Sequence, residues 1–292
     1  MSKILIIEDE VAIADLEKDW YQYPVFKVDF NGVNFTENGK LEAAIEYYLE
    51  SWEKQYGETS HQAPLGKRFE QLLGQAYQLT GRRAVVLVDE YDKPILDTLD
   101  TPLEDTNREV LKAFYSTFKG ADEYLKFVLL TGVTKFSQVS VFSGFNQPID
   151  ISMNNRYEAL CGITQEELEY YFAEPIANLA NKFNYTIEET KEVLKMQYDG
   201  YHFMYGEEGL FNPFSVLNVL KNSIFDDYWF KTGTPTFLIE LLKKTNYDLR
   251  NLEGVQLDVN SFADYRADAS RAIPVIYQSG YLTIKGYNKE FK

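Results

Sequence analysis

The sequence predicts an α/β fold, with a mostly parallel sheet flanked by helices and then a mainly helical second domain. Three observations lead there. "AVVLVDE" (84–90) and "LKFVLLTG" (125–132) are near-continuous apolar runs, the form of strands covered on both faces. Amphipathic helical stretches separate these runs, giving the βαβαβ alternation of a parallel sheet. From about Met153 the strand-like runs give way to helices with capping signals. The division expected is 1–152 for the α/β core and 153–292 for the helical domain.

Each element follows from its pattern. "KILIIED" (3–9) is a short apolar run of strand type, and "EVAIADLEKDW" (10–20) places Ile13, Leu16 and Trp20 at helical spacing. "PVFKVDF" (24–30) alternates like a strand. Leu41, Ile45, Tyr48, Trp52 and Tyr56 mark an amphipathic helix. A polar interruption over 57–64 precedes a second helix bearing Phe69, Leu72, Leu73 and Ala76, with Gly81 past its end. After the run at 84–90, another helix carries Val110, Leu111, Phe114 and Phe118, with Gly120 after it. In the second half, Thr164 with Glu167 and Thr186 with Glu189 have capping-box spacing. Thr234 and Pro235 form an N-cap and first-turn pair ahead of "TFLIELLKK". "IPVIYQSGYLTI" (273–284) reads as strand-like, and a winged-helix-like module is the expectation for this half.

Composition narrows the function classes. Net charge is −16, with no Lys/Arg cluster, which argues against a nucleic-acid partner. Cys161 is the sole cysteine, so no internal disulfide can form, and it is expected to be a core thiol. The two histidines, His61 and His202, show no Cys/His spacing of zinc type. No apolar run is long enough for a membrane helix, and the N-terminus lacks the features of a signal peptide. The expectation is a cytoplasmic bacterial protein. With 22 Tyr and 20 Phe, aromatic packing should dominate the core.

The chemistry concentrates where "AVVLVDEYDKP" turns from apolar to acidic at Asp89 and Glu90. Carboxylates at the C-terminal end of a parallel strand enter the crevice where such sheets bind ligands. In a nucleotide hydrolase the first acid orients Mg²⁺ and the second polarises the attacking water. Thr131, closing the next strand, places a hydroxyl near the same edge. The plain alternative is a polar strand exit, with Asp92 and Lys93 forming a turn and a surface ion pair.

Several blocks taken together carry a resemblance. "VVLVDEYDKPILDTL", "LKAFYSTFKGADEYLKFVLLTGVTKFSQVSVFSG", "YEALCGIT", "YDGYHF", "FNPFS" (211–215) and "YWFKTGTPTFLIELLKK" occur in order, and the chain from about Leu16 onward resembles the bacterial AAA-ATPase-like family. The resemblance implies a parallel P-loop NTPase-type sheet, joined in full-length relatives to a nuclease-like domain of the PD-(D/E)XK type. It implies ATP and Mg²⁺ as ligands. Asp89 becomes the metal-orienting acid and Glu90 the catalytic acid of a Walker B pair, and Thr131 falls at the sensor-like strand end.

The departures are equally specific. No GxxxxGK[ST] occurs, so the Walker A segment is missing, and no nuclease-like domain is recognised. Gly39-Lys40 and Gly66-Lys67 are read as helix entries. Residues 1–16 resemble instead the first strand and helix of a response-regulator receiver domain, with Glu8 and Asp9 matching its acidic pair, which suggests a foreign leader fused to an ATPase fragment. "KILIIED" is expected to take the sheet position of the lost first strand, with Glu8, Asp9 and Glu10 favouring the N-terminus of the next helix. "YDGYHF" is expected to pack as a strand or turn, and Arg156 to lie on the surface. The function expected is that of an ATP-binding protein with weak or no hydrolysis. The alternative is a non-catalytic module that binds a protein partner.

Overall fold

A computed structural model of the chain describes residues 22–133, 149–203, 209–231, 238–239, 242–243, 250, 252, 254–258 and 272–286. The leader at 1–16, with its receiver-like acids, and the Thr234–Pro235 pair lie outside the described residues. The chain divides into two compact units. One comprises residues 1–91, 109–131 and 144–146, and the other residues 92–108, 132–143 and 147–292.

The first unit holds the sheet. Strands β1 (Val25–Asp29), β2 (Ala84–Asp89) and β3 (Leu125–Leu130) pair in parallel in the order β1-β2-β3. The fold is therefore α/β, with a small parallel sheet flanked by helices in a mostly helical chain. β2 is the middle strand, and its burial alternates up to Val88 before Asp89 emerges. Helix α1 (Lys40–Tyr56) starts after Gly39, in the left-handed region, and helix α2 (Leu65–Thr80) starts after Pro64. Both glycine-lysine pairs are thus helix entries, as their sequence context suggests. Gly66 is required for close packing. A Cβ there would lie 2.6 Å from Thr117 Oγ1 and 3.0 Å from the Ala113 carbonyl, while Thr117 donates to the Gly66 carbonyl at 2.9 Å.

Phe69 organises the core of this unit. It is fully buried and stacks on Trp52 at 5.3 Å and Phe114 at 5.1 Å, with Phe26 edge-on at 5.6 Å. Offset and edge-to-face pairs of this kind add about 0.5–1.5 kcal/mol each beyond area burial. Part of the aromatic-rich composition packs here.

The second unit begins with the short helix α3 (Lys93–Leu96), and helix α4 (Leu103–Tyr115) passes from it into the first unit at Glu109. Helix α5 (Thr117–Gly120) belongs to the first unit. Asp92 is fully buried and accepts from the Val133 N–H at 3.3 Å, so it is no surface residue. Lys93 pairs one helical turn onward with Asp97 at 3.0 Å. Helices α6 (Gln165–Tyr171), α7 (Ala173–Phe183), α8 (Ile187–Tyr198) and α9 (Pro213–Asn222) enclose Leu168, Ile176, Leu179, Leu194, Phe211 and Val216. Both expected capping boxes are formed, with Thr164 and Thr186 each accepting from the third helical N–H while Glu167 and Glu189 reach back.

Two expectations for this unit are overturned. The run expected to be a strand at 273–284 contains helix α11 (Ala272–Gln278), which follows the short helix α10 (Tyr228–Lys231). A continuous apolar run does not distinguish a buried strand from a buried helix, and here Val275, Ile276 and Tyr277 are all buried. Cys161 is exposed rather than a core thiol. "YDGYHF" does pack internally. Tyr201 bridges Leu210 and stacks on Tyr277, and the His202 N–H donates to Thr283 Oγ1 at 2.7 Å. Arg156 is exposed, its guanidinium 5.9 Å from the Tyr157 ring centre.

Candidate functional site

The C-terminal edge of the sheet gathers the polar strand ends. β1 ends at Asp29, which is in register with Asp89 at the end of β2. Equivalent positions on neighbouring parallel strands send their side chains to the same face, so the two carboxylates share one side of the edge. β3 runs out into Thr131, whose N–H donates to the Val88 carbonyl at 2.9 Å and whose carbonyl accepts from Tyr91 at 2.9 Å. These ladder bonds carry Thr131 alongside Asp89, where its hydroxyl donates to Asp89 Oδ1 at 2.6 Å. A distance this short belongs to a charge-assisted O–H···O⁻ bond. Asp89 Oδ1 also accepts the Glu90 N–H at 3.1 Å.

Glu90 follows in the left-handed region, at φ 57°. For a residue with a Cβ this conformation costs about 1–2 kcal/mol, so the turn after β2 is held in place by its surroundings. The Asp89 carboxylate bonding back to the Glu90 N–H is one such restraint. Asp89 and Thr131 are exposed and Glu90 is half-buried, an arrangement that leaves oxygen donors open to solvent at the edge of the sheet. Oxygen donors of this kind suit a hard divalent cation.

Asp89, Glu90 and Thr131 are the candidates legible in the sequence. The geometry joins Asp89 to both of the others and adds Asp29, which no local pattern singles out. Its signal was the acid next to last in "PVFKVDF", but only the register reveals its alignment with Asp89. Asp29 is itself fixed: Tyr48 Oη donates to its carbonyl at 2.7 Å, and its carboxylate accepts from the Asn31 N–H at 2.9 Å.

Residues 7–142 match the AAA-ATPase-like family model, described as a predicted AAA-ATPase. This part of the chain is similar to that family. The matched stretch includes all three strands and the acidic edge. A relative described as an uncharacterized protein in the vnfD 5' region of Azotobacter chroococcum mcd 1 is 36% identical over 268 residues. That alignment covers 91% of this chain and 50% of the relative, so the chain spans about half the relative's length. No solved structure matches the chain.

Proposed function

We propose that the chain is the ATP-binding portion of an AAA-ATPase-like protein, with a P-loop NTPase-type sheet whose acidic edge receives Mg-ATP. The hydrogen bond between Thr131 and Asp89 at the end of the central described strand carries this reading. It joins the metal-orienting acid to the hydroxyl in the position expected of a sensor.

The residues present fit the metal. Asp89 would hold Mg²⁺ through a carboxylate oxygen, and Asp29 lies in register to add a second. When bound, Mg²⁺ neutralises charge on the phosphate oxygens. Glu90 would accept a proton from the attacking water, and Thr131 keeps Asp89 in one orientation while presenting its own oxygen to the same edge. The phosphates are a different matter. They are held in such sites by backbone N–H groups and a lysine, and no GxxxxGK[ST] occurs in these residues. Carboxylates dominate the edge instead. This chain on its own therefore hydrolyses ATP weakly or not at all.

A second reading is a non-catalytic module for a protein partner, favoured by apolar side chains on the second unit's surface. Met196 is 77% exposed on α8, and Phe214 and Leu217 are exposed one turn apart on α9. Calorimetric titration of MgATP into the wild-type chain and into Glu90→Gln separates the two. Nucleotide binding or turnover that changes in Glu90→Gln supports the ATP reading. Absence of binding and turnover in both proteins favours the interaction module.

A further inference from the structure

The loop after α1 assembles a cluster that no Cys/His spacing announces. Gly57, at φ 114°, ends the helix, and Glu58 is anchored through its carbonyl, which accepts from Gln75 Nε2 at 2.9 Å. The turn closes with the Ala63 N–H on the Ser60 carbonyl at 2.8 Å. This brings Glu53, Glu58 and His61 together, one donor atom from each lying within 4.8 Å of the others.

From this geometry we propose that Glu53, Glu58 and His61 bind a divalent cation of the zinc class. Glu53 is the anchor, with a side chain only 4% exposed. Its Oε1 accepts from Thr59 Oγ1 and from Arg68 Nε and Nη2, at 3.3 and 2.9 Å for the two guanidinium nitrogens. Partners of this kind orient a ligating carboxylate from behind. Among the described residues no hydrogen bond reaches Oε2, which points at His61 instead.

The distances favour a shared ion over direct hydrogen bonds. His61 Nε2 lies 3.5 Å from Glu53 Oε2 and 3.6 Å from Glu58 Oε2. Both separations exceed the 2.7–3.2 Å usual for N–H···O bonds. They approach the ~3.3–3.4 Å between two donors on a tetrahedral ion with bonds of about 2.0–2.1 Å.

Charge points the same way. Arg68 is shared between Glu46 and Glu53, so its one positive charge is divided between two carboxylates, and Glu58 adds a further carboxylate beside His61. A divalent cation balances the remainder. One imidazole nitrogen with two carboxylate oxygens suits zinc, whereas Mg²⁺ prefers an octahedral set of oxygens. The exposed side of His61 and Glu58 gives water access to a fourth position. Bound there, the ion would tie the loop to the end of α1.

The test uses the full chain, stripped with a chelator, dialysed, and titrated calorimetrically with zinc chloride. Co²⁺ absorption serves as a second readout of tetrahedral coordination. We expect saturable binding of one ion per chain. His61→Ala and Glu58→Gln, each checked for folding by circular dichroism, should weaken it by roughly tenfold or more. Lys191→Ala, in the helical unit, should retain full affinity. Non-saturable wild-type binding, or unchanged affinity in either loop variant, leaves only a loose His–Glu ion pair and overturns the proposal. Loss of binding in Lys191→Ala would place the ion outside the loop and overturn it equally.

Discussion

Arg68 in the first unit and Lys191 in the second each bridge two glutamates, but in opposite surroundings. The Arg68 side chain is 1% exposed and lies between Glu46 and the buried Glu53. Lys191 spans Glu169 at 3.0 Å and Glu188 at 3.1 Å in the helical unit, with its own side chain 20% exposed and both partners open to water, Glu188 at 80%. On paper the two constellations match. Water makes them different, because a charge removed from solvent depends on its partners and an exposed one does not.

Breaking the buried constellation should produce the largest effect. Arg68→Ala strands Glu53 in the core and should cost about 3–5 kcal/mol in urea unfolding. A loss comparable to that of a surface substitution would show that water reaches Glu53 and would erase the contrast.

The second prediction concerns acid. Burial pushes the Glu53 carboxyl up, but hydrogen bonds from Thr59 and Arg68 outweigh it and hold the group below its ordinary value of 4.5. A depressed folded value means the unfolded chain binds the proton first. Stability from Glu53 is therefore full above pH 4.5 and is lost as pH falls through the depressed value. Glu53→Gln should lower stability at neutral pH and flatten the acid limb of a thermal-melting profile. An unchanged acid limb would assign that limb to other carboxylates.

Smaller effects belong to the second unit. Thr186 caps α8 by accepting the Glu189 N–H at 3.1 Å. Thr186→Ala should cost about 1 kcal/mol in urea unfolding, and no change would mean that water replaces the cap. Lys191→Ala should do least, with a melting shift below that of Thr186→Ala and diminishing further with added salt. A Lys191→Ala loss approaching that of Arg68→Ala would break the comparison outright.

The same contrast between local and distant causes explains what the sequence made legible. The strand at 24–30 emerges as Val25–Asp29, and the helix marked by Leu41, Ile45 and Trp52 as α1. Both rest on a periodicity that repeats within one element. The capping boxes at Thr164 and Thr186 were equally readable, since each partner lies three residues away. Helix α11 was misread because Val275, Ile276 and Tyr277 are buried together, and a fully buried helix shows no polar face. Cys161 misled for a different reason: the absence of a basic neighbour says nothing about which side of a turn meets solvent. At the candidate edge, the acids at Asp89 and Glu90 announced themselves by ending an apolar run. The alignment of Asp29 with them did not, because 60 residues separate two positions that only strand pairing brings together.

By itself the sequence determined the strands and helices of the sheet-bearing part, the two capped helices and the acidic strand end, because backbone periodicity, capping and turn chemistry act over a few neighbouring residues. Tertiary structure alone decided which polar groups meet: Thr131 with Asp89, Asp29 in register beside it, and Arg68 between Glu46 and Glu53. The physical reason is that the strength and role of a polar contact depend on its distance and on the water left around it. Both are fixed only when distant segments pack together.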